Sequence, residues 1–396
     1  MVFAFLALIA GINAANPKWN PLNATELTFP LLRGSSTSVY TGPTPTYSNS
    51  SILFAGFSAD VSALSPRLHD VWKLTNANGL GGTSTWSQLI PAGSPPPVRS
   101  NHSAVYDAAN NRMIIYGGCG APFRVPPSCQ PIANDVWVLS NADGTTGTPT
   151  WAQLPTTGPT PGPRQAHQAV YDPTTNSMIV WAGQNGVLNN NCSPATYSDV
   201  WVLSNANGIG GTSNWTQLPT TGGPPAGQYG STAVYDSSNN IMTVFGGVGT
   251  VDTVCQTTNA VWALSNANGH DIGTPVWTNL VPQGAPGSPA NRWQHAAVYL
   301  PSSNTMTIFG GVSACCRNPL TMDLGDTWVL SHANGIGVPI AWTHLNANGP
   351  VPSSRHNNVG IDTVNNLMIM GGGGTSGDIH DGPLWGSWVL SHPNGL

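Results

Sequence analysis

Five side chains in this sequence have the chemistry to bind a ligand and hold no place in its repeats. They are two arginines, one histidine and two tryptophans: Arg124, Trp293, Arg317, His380 and Trp385. Guanidinium groups form charge-assisted hydrogen bonds with anions, and exposed aromatic rings stack on sugar rings or on partner side chains. Because only non-repeated residues can build an asymmetric site, we predict that these five residues contact the ligand.

The cysteines belong to the same variable segments of the chain. There are six of them: Cys119, Cys129, Cys192, Cys255, Cys315 and Cys316. Cysteines pair in oxidising compartments, and the short segment between the first two favours a Cys119–Cys129 disulfide within one loop. For the other four we expect a Cys192–Cys255 bond between neighbouring repeats and a Cys315–Cys316 bond between adjacent residues.

The first fifteen residues, 1–15, resemble a signal peptide. They are an apolar stretch that ends in small residues, although the usual positive charge at its start is missing. An N-terminal core strand is the alternative. No later segment approaches the roughly 20 apolar residues of a membrane helix. We therefore expect a secreted or cell-surface protein in which residues 16–396 form one domain.

The composition excludes two classes of function. Charged residues make up 7% of the chain, and the net charge is -5, whereas about 25% of an ordinary soluble domain is charged. No basic run is present that would bind a nucleic-acid backbone. The 15 tryptophans argue against a disordered chain. The sequence thus predicts a folded protein that does not bind nucleic acid.

Two series of tryptophans with the same period organise the chain. Neighbours within each series are 60 to 67 residues apart. The first series follows an acidic residue in most repeats and comprises Trp72, Trp137, Trp201, Trp262, Trp328 and Trp388. The second begins a Trp-x-x-Leu element and comprises Trp19, Trp86, Trp151, Trp215, Trp277 and Trp342. A period of this length indicates a repeat architecture.

Each repeat contains four strand-like segments joined by turn residues, which is typical of one blade of a β-propeller. The last repeat stops after Trp388, before its own Trp-x-x-Leu element, and Trp19–Leu22 supplies that element at the other end of the chain. We therefore predict an all-β fold, a six-bladed β-propeller of four-stranded antiparallel blades. The N-terminal strand would complete the last blade and so remove two open sheet edges.

From about residue 19 to the end, the chain resembles the kelch family of repeat propellers. The resemblance rests on the spaced Tyr and Trp and on four Gly-Gly pairs: Gly117–Gly118, Gly246–Gly247, Gly310–Gly311 and Gly371–Gly372. The period of about 65 residues departs from the roughly 50 of kelch repeats. The additional residues lie in an Asn-Ala-Asn-Gly turn and in the loop after Gly-Gly.

Arginines, acids and histidines recur at fixed repeat positions. Arg33, Arg99, Arg164, Arg292 and Arg355 share one position, where Gln228 is the sixth residue. A ring of arginines that attracts an anion is one interpretation. Arg–Asp bonds within or between blades are the preferred one, because the pattern occurs in nearly every repeat. His102, His167 and His295 share another position, but residues spread around a ring do not converge on one zinc ion. We predict no metal and no cofactor.

These observations favour a binding module over an enzyme. The variable loops would form one face of the propeller and bind a carbohydrate or an extracellular protein. Resemblance to other propellers admits sialidases, sugar-acid epimerases and copper oxidases. No nucleophile with its base can be assembled from the sequence, so a carbohydrate-active enzyme stays the main alternative to the binding module. A cell-surface structural protein that self-assembles is the third possibility.

Overall fold

The computed structural model describes residues 16–22, 30, 33–42, 49–58, 67–120, 131–188, 194–223, 225–251, 254–313, 323–352, 359–371 and 387–396. These residues form β-strands joined by turns, and no helix occurs among them.

In chain order, the first strands are β1 (Lys18–Leu22), β2 (Arg33–Gly34), β3 (Thr37–Tyr40), β4 (Ser50–Ser58), β5 (Arg67–Thr75), β6 (Thr85–Leu89), β7 (Ser103–Asp107), β8 (Arg112–Cys119), β9 (Ile132–Ser140) and β10 (Thr150–Gln153). The middle of the chain contributes β11 (Thr156–Thr157), β12 (Gln168–Asp172), β13 (Ser177–Trp181), β14 (Gln184–Leu188), β15 (Pro194–Thr196), β16 (Val200–Ser204), β17 (Ser213–Leu218), β18 (Gln228–Tyr229), β19 (Thr232–Asp236), β20 (Ile241–Phe245), β21 (Val248–Val251), β22 (Val254–Thr257), β23 (Val261–Ser265) and β24 (Val276–Val281). The last strands are β25 (Ala296–Leu300), β26 (Thr305–Phe309), β27 (Thr327–Ser331), β28 (Trp342–His344), β29 (Val359–Asp362), β30 (Leu367–Met370) and β31 (Ser387–Ser391).

One four-stranded antiparallel meander recurs through the described ranges. We number its copies sheet 1 (β3-β4-β5-β6), sheet 2 (β7-β8-β9-β10), sheet 3 (β12-β13-β16-β17), sheet 4 (β19-β20-β23-β24), sheet 5 (β25-β26-β27-β28) and sheet 6 (β29-β30-β31-β1). The outer strand of sheet 6 comes from the start of the chain. There β1 pairs antiparallel with β31, and Pro21 lies opposite Trp388. The sequence analysis expected this pairing from the positions of the Trp-x-x-Leu elements.

Burial follows the position of a strand within its sheet. The inner strand β7 alternates between buried and half-buried residues, whereas every residue of the second strand β13 is buried. A central strand that packs on both faces reads as a continuous apolar run. The outer strand β10 buries Trp151 and exposes Ala152 and Gln153. The tryptophan of the Trp-x-x-Leu element is therefore the residue through which this outer strand packs on the core.

The apolar core lies between neighbouring sheets rather than within them. Ile52 of sheet 1 packs in one cluster with Ile115 of sheet 2, and the pattern continues from sheet to sheet. Leu53 of sheet 1 also shares a cluster with Leu367 and Val389 of sheet 6. Each inner strand contacts the next, and β29 contacts β3. Sheets 6 and 1 thus pack against each other as the other neighbours do.

The two ends of the sheets differ, and we name them separately. The loop face carries the connections between sheets and the loops between second and third strands. The turn face carries the first-to-second turns and the third-to-fourth turns. The chain that leaves one sheet often pairs in parallel with the start of the outer strand of the next, as β11 does with β17. Gly158 permits this approach at φ +80°, because a Cβ there would lie 2.7 Å from the carbonyl oxygen of Trp215.

On the turn face, a chain of hydrogen bonds joins each sheet to its neighbour. In sheet 4, Tyr235 Oη donates to Asn240 Oδ1 (3.0 Å), and Asn240 Nδ2 donates to Asn268 Oδ1 (2.6 Å). Asn268 Nδ2 then donates to Asp172 Oδ2 of sheet 3 (2.7 Å). The same inter-sheet bond, at 2.7 to 2.8 Å, links Asn78 to Asp362, Asn207 to Asp107 and Asn334 to Asp236. The second Asn of the Asn-Ala-Asn-Gly turn is therefore a cross-link between sheets.

Candidate functional site

The inner strands surround a cavity of about 250 Å³ on the axis of the molecule. Its described lining is rich in hydroxyl, amide and imidazole groups, including those of Ser38, Asn101, Gln168 and Gln294. These residues come from the start of successive inner strands. The cavity is therefore framed at the loop face, where the chain enters each sheet.

A belt of backbone hydrogen bonds runs around this cavity. Each donor N–H belongs to the residue two positions after the repeated Arg or Gln, and the acceptor is the equivalent carbonyl of the preceding sheet. The bonds are Asn101 N to Ser35 O (2.9 Å), Ala166 N to Asn101 O (2.8 Å), Gly230 N to Ala166 O (2.9 Å) and Gln294 N to Gly230 O (2.7 Å). All five residues have φ between +52° and +65°. The belt holds five side-chain positions rigidly at the cavity wall.

Just behind the belt, the three repeated histidines bridge neighbouring sheets. A hydrogen bond joins each Nε2 to a hydroxyl of the preceding sheet: His102 to Thr37 (2.6 Å), His167 to Ser103 (2.8 Å) and His295 to Thr232 (2.7 Å). Burial, aided by the charge of Arg164, lowers the pKa of His167 to about 3. Neutral imidazoles in separate inter-sheet contacts are structural groups, as the sequence analysis preferred.

The repeated arginines form bidentate ion pairs within their own sheets. Nη1 and Nη2 of Arg164 donate to the two carboxylate oxygens of Asp199 at 2.8 and 3.0 Å, and Nη1 also donates to Ala182 O (3.0 Å). Equivalent pairs are Arg33–Asp70, Arg99–Asp135 and Arg292–Asp326. Burial raises the pKa of Asp199, but hydrogen bonding to Arg164 and its charge outweigh this effect, so the pKa is lowered. These arginines stabilise the sheets and are not available to a ligand. Arg355 lies outside the described residues.

Sheet 4 departs from this pattern at the loop face. Gln228 occupies the arginine position, and Ala260 occupies the position of the acid. The Gln228 side chain is buried, and its Oε1 has no hydrogen-bond partner. Gly230 takes the belt position without a side chain, and Ser231 takes the histidine position, as Ser36 does in sheet 1. Sheet 4 therefore lacks both the ion pair and the belt side chain that its neighbours, sheets 3 and 5, possess.

The structure describes one of the five residues predicted to bind the ligand. Trp293 is half-buried beside the belt residue Gln294, with its ring 5.7 Å from that of buried Tyr229 in an edge-to-face contact. Arg124, Arg317, His380 and Trp385 lie outside the described residues. The sequence analysis overlooked Asn101 and Gln294, which line the cavity. Their fixed position after the repeated Arg is the signal that would have found them.

The loop face also differs from sheet to sheet. At the loop face of sheet 3, β14 and β15 form a separate two-stranded hairpin. At the loop face of sheet 4, β18, β21 and β22 form a separate three-stranded sheet. Sheets 1 and 2 instead lengthen their second and third strands up to the loop. In the described portion, these four sheets thus show three different arrangements at the loop face.

The cysteines were expected in loops, and the structure places two of them in strands. Cys119 ends β8, where it is buried and disulfide-bonded. Cys255 lies within β22. Long hairpins that continue past Gly-Gly explain the difference. Cys129, Cys192, Cys315 and Cys316 lie outside the described residues, so the predicted pairings remain predictions.

The described side chains offer no cluster of three or more His, Cys, Asp or Glu that could hold a metal ion. In the same part of the chain, no helix has the length and hydropathy needed to cross a membrane.

The repeated antiparallel sheets around an axial cavity define a β-propeller repeat protein. The family model described as "KLHDC2/KLHL20/DRC7 Kelch-repeats domain" matches residues 12–204 and 126–372. The chain belongs to the kelch-repeat family.

Similarity to curated proteins covers only part of each relative. The chain is 31% identical over 301 residues to a serine/threonine-protein phosphatase, BSL2, of Arabidopsis thaliana, which covers 74% of this chain and 24% of that protein. It is 26% identical over 269 residues to Adagio-like protein 1 of Oryza sativa subsp. japonica, covering 64% and 38%. The chain thus spans between a quarter and two fifths of the length of these relatives. Among solved structures, that of YjhT has a TM-score of 0.58 at 13% identity and covers 91% of this chain and 94% of YjhT. This likeness concerns the fold alone.

Proposed function

We propose that this protein is a binding module that recognises a protein partner on the loop face, around the axial cavity. The observation that carries the proposal is the contrast between the rigid belt and the irregular loops above it. Backbone bonds hold Asn101 and Gln294 in place, while the loop face changes from extended strands in sheets 1 and 2 to separate small sheets beside sheets 3 and 4. A stiff scaffold with variable loops is where binding sites usually lie. The kelch repeats shared with the relatives support the same class of function.

Alanine substitution of the belt side chains tests this proposal. The protein would be immobilised and probed with extracts of its source, and captured proteins would be identified by mass spectrometry. We expect the combined Asn101→Ala, Trp293→Ala and Gln294→Ala variant to lose at least 10-fold in partner affinity, as for removal of binding hot spots. Ser237→Ala with Ser302→Ala, at exposed positions of the turn face, is the matched control. Equal loss in both variants would refute the proposal.

A carbohydrate is the second ligand class that we propose. The observation that favours it is the described lining of the cavity, which is polar and hydroxyl-bearing, with Arg33 as its one charged member. Sugars are recognised by such side chains together with an aromatic ring, and Trp293 lies at the rim. A glycan array probed with the wild type and with Trp293→Ala distinguishes this ligand from a protein. Binding to no glycan would rule the carbohydrate out and leave the protein partner as the ligand.

We further propose that the six sheets are the blades of one closed ring. The pairing of β1 with β31, the shared core of sheets 1 and 6, and the Asn78–Asp362 bond at 2.8 Å support closure. Deletion of residues 1–24 removes the outer strand of sheet 6, including fully buried Trp19. Burial of one such side chain is worth about 3–5 kcal/mol, so we expect loss of cooperative thermal unfolding. An unchanged melting temperature would contradict closure.

Export and disulfide stapling of the loops remain proposals as well. They rest on the apolar segment 1–15 and on the oxidised state of Cys119. Expression in the source organism, followed by N-terminal sequencing of the secreted protein and non-reducing peptide mapping, tests both. A protein that stays inside the cell with residues 1–15 still attached would contradict export. Free thiols at Cys129 and Cys192 would contradict the disulfide bonds.

A further inference from the structure

The turn face displays most of the exposed aliphatic side chains that the structure describes. Seven of the ten exposed large apolar residues lie there. They are Leu80, Ile209, Ile272, Ile336, Val338, Val364 and Leu396. Single exposed aliphatics scattered over a surface need no explanation. The concentration of these residues on one of the two faces does require an explanation.

Four of these residues occupy the same repeat position, the first after the Asn-Gly pair that follows the third strand. Leu80, Ile209, Ile336 and Leu396 are 62%, 41%, 51% and 65% exposed. In each case the backbone N–H donates to the side-chain oxygen of the Asn two residues earlier, at 2.7 to 3.2 Å. These tips are therefore held in one conformation and ordered before any partner arrives, which lowers the entropic cost of binding.

Sheets 2 and 4 show that the position does not require an aliphatic residue. Thr145 takes it in sheet 2, where its amide and hydroxyl both bond to Asp143. His270 takes it in sheet 4, and the fully exposed Ile272 follows two residues later. The turn accommodates polar residues, yet five of the six sheets present an aliphatic side chain at the tip.

The tip segments carry almost no charge. They run over 76–84, 141–149, 205–212, 266–275, 332–341 and 392–396 and contain no Lys or Arg. Their two carboxylates are those of Asp143, which is buried, and Asp271. A contact between identical surfaces places like charges opposite each other, which is unfavourable. Because the tip segments carry so little charge, a contact between two copies of them avoids this repulsion. The tip segments also lack the basic residues that attract anionic lipids.

We propose that the turn face is a self-association surface on which a second copy of this chain docks face to face. A two-fold axis between the copies would place the ring of tips on one copy against the ring of tips on the other, as in an isologous dimer. The segments named above comprise more residues than the 20–30 per side of a standard interface. This surface is opposite the loop face, so the dimer would leave both proposed ligand sites open.

Sedimentation of the full chain at micromolar concentration tests the proposal. We expect a wild-type dimer, and we expect the Leu80→Ser, Ile209→Ser and Ile336→Ser triple variant to dissociate at least about 100-fold more readily. That estimate follows because each substitution counts twice in a two-fold interface and each buried aliphatic side chain is worth about tenfold or more. Val351→Ser is the control, since it removes an exposed aliphatic residue from the connection that leads to sheet 6. The control should remain a dimer.

The remaining outcomes overturn the proposal. They are a monomeric wild type at all concentrations, and a dimer that survives the triple substitution. A third is flotation of the wild type, but not of the triple variant, with neutral phosphatidylcholine vesicles, which would identify a lipid surface as the occupant. The single variant Ile272→Asp repeats the test with a charge at a fully exposed site, where folding is not at risk. Partner capture on the loop face is a separate measurement, so failure here does not affect the proposed function.

Discussion

The turn face and the loop face of this protein differ in regularity, although the same six sheets form both. On the turn face, one set of Tyr, Asn and Asp side chains recurs, and the inter-sheet bond from Asn to Asp measures 2.7 or 2.8 Å wherever it occurs. On the loop face, sheets 3 and 4 carry separate hairpins, whereas sheets 1 and 2 extend their own strands. The comparison teaches that the regular contacts join neighbouring sheets, whereas the irregular segments are confined to one end of the sheets.

Between the two faces lies a layer of recurring polar side chains, which we call the supporting layer. It consists of the Arg–Asp pairs and the histidines, which lie beneath the loop face and recur at fixed repeat positions. The comparison therefore predicts a gradient. Substitutions in this supporting layer should cost the most stability, those on the turn face less, and those at the cavity rim least.

The largest effect should come from Arg164→Ala. This change leaves the Asp199 carboxylate without its bidentate partner while the pair is largely buried. Removing one member of a buried pair costs about 3 kcal/mol or more. Urea denaturation measures the loss. Arg112→Ala is the control, because half-buried Arg112 donates a hydrogen bond to the Asn207 carbonyl (2.8 Å), and we expect a loss below about 1 kcal/mol. Equal losses would remove the distinction between the supporting layer and the turn face.

Acid should destabilise the same layer before the carboxylates titrate. The pKa of His167 is lowered to about 3 in the folded protein by burial and by Arg164, against about 6.5 when unfolded. The unfolded chain therefore binds a proton first, and stability falls as pH drops from about 6.5 towards 3. The expected slope is about 1.4 kcal/mol per pH unit for each such histidine. The His167→Gln variant should lose that share of the slope between pH 6.5 and 4.5, as measured by urea denaturation at several pH values. An unchanged slope would show that His167 does not govern this range.

A smaller effect is expected on the turn face from Asn268→Ala. Its amide bonds to Asp172 of the neighbouring sheet, and removal leaves a buried acceptor short of a partner, at a cost of about 1–3 kcal/mol. Asn239→Ala is the matched control, because exposed Asn239 donates its bond to Asp236 within one turn (2.7 Å), and it should change stability by less than about 1 kcal/mol. Thermal unfolding of both variants decides between the local and the inter-sheet role.

The smallest effect on stability should come from the cavity rim. Asn101→Ala and Gln294→Ala retain the belt, because its bonds are made by the backbone and Ala166 already occupies the equivalent position at φ +52°. We expect each variant to stay within about 0.5 kcal/mol of the wild type. A decrease of more than about 2 kcal/mol in the free energy of unfolding would mean that these side chains stabilise the packing of the sheets. The rim would then belong to the supporting layer.

The sequence by itself determined the repeat, the order of the strands in each sheet and the pairing of Trp19–Leu22 with the segment around Trp388. These features depend on periodic apolar residues and local turns, which any one repeat displays in full. The Arg–Asp pairs were also predictable, because both partners recur at fixed positions within one repeat. Repetition converts a tertiary contact into a pattern along the chain.

The tertiary structure alone decided which residues meet between sheets. Asn268 bonds to Asp172, 96 positions earlier, and a turn sequence gives no indication of such a partner. The belt depends on backbone atoms, to which side-chain identity is nearly irrelevant, so Ser, Asn, Ala, Gly and Gln all occupy it. The outward direction of the aliphatic tips likewise follows from the Asn-capped turn rather than from hydropathy, which would have placed Leu80 and Ile209 in the core. Contacts between sheets join segments that are remote in sequence, and only the packing of sheet on sheet brings them together.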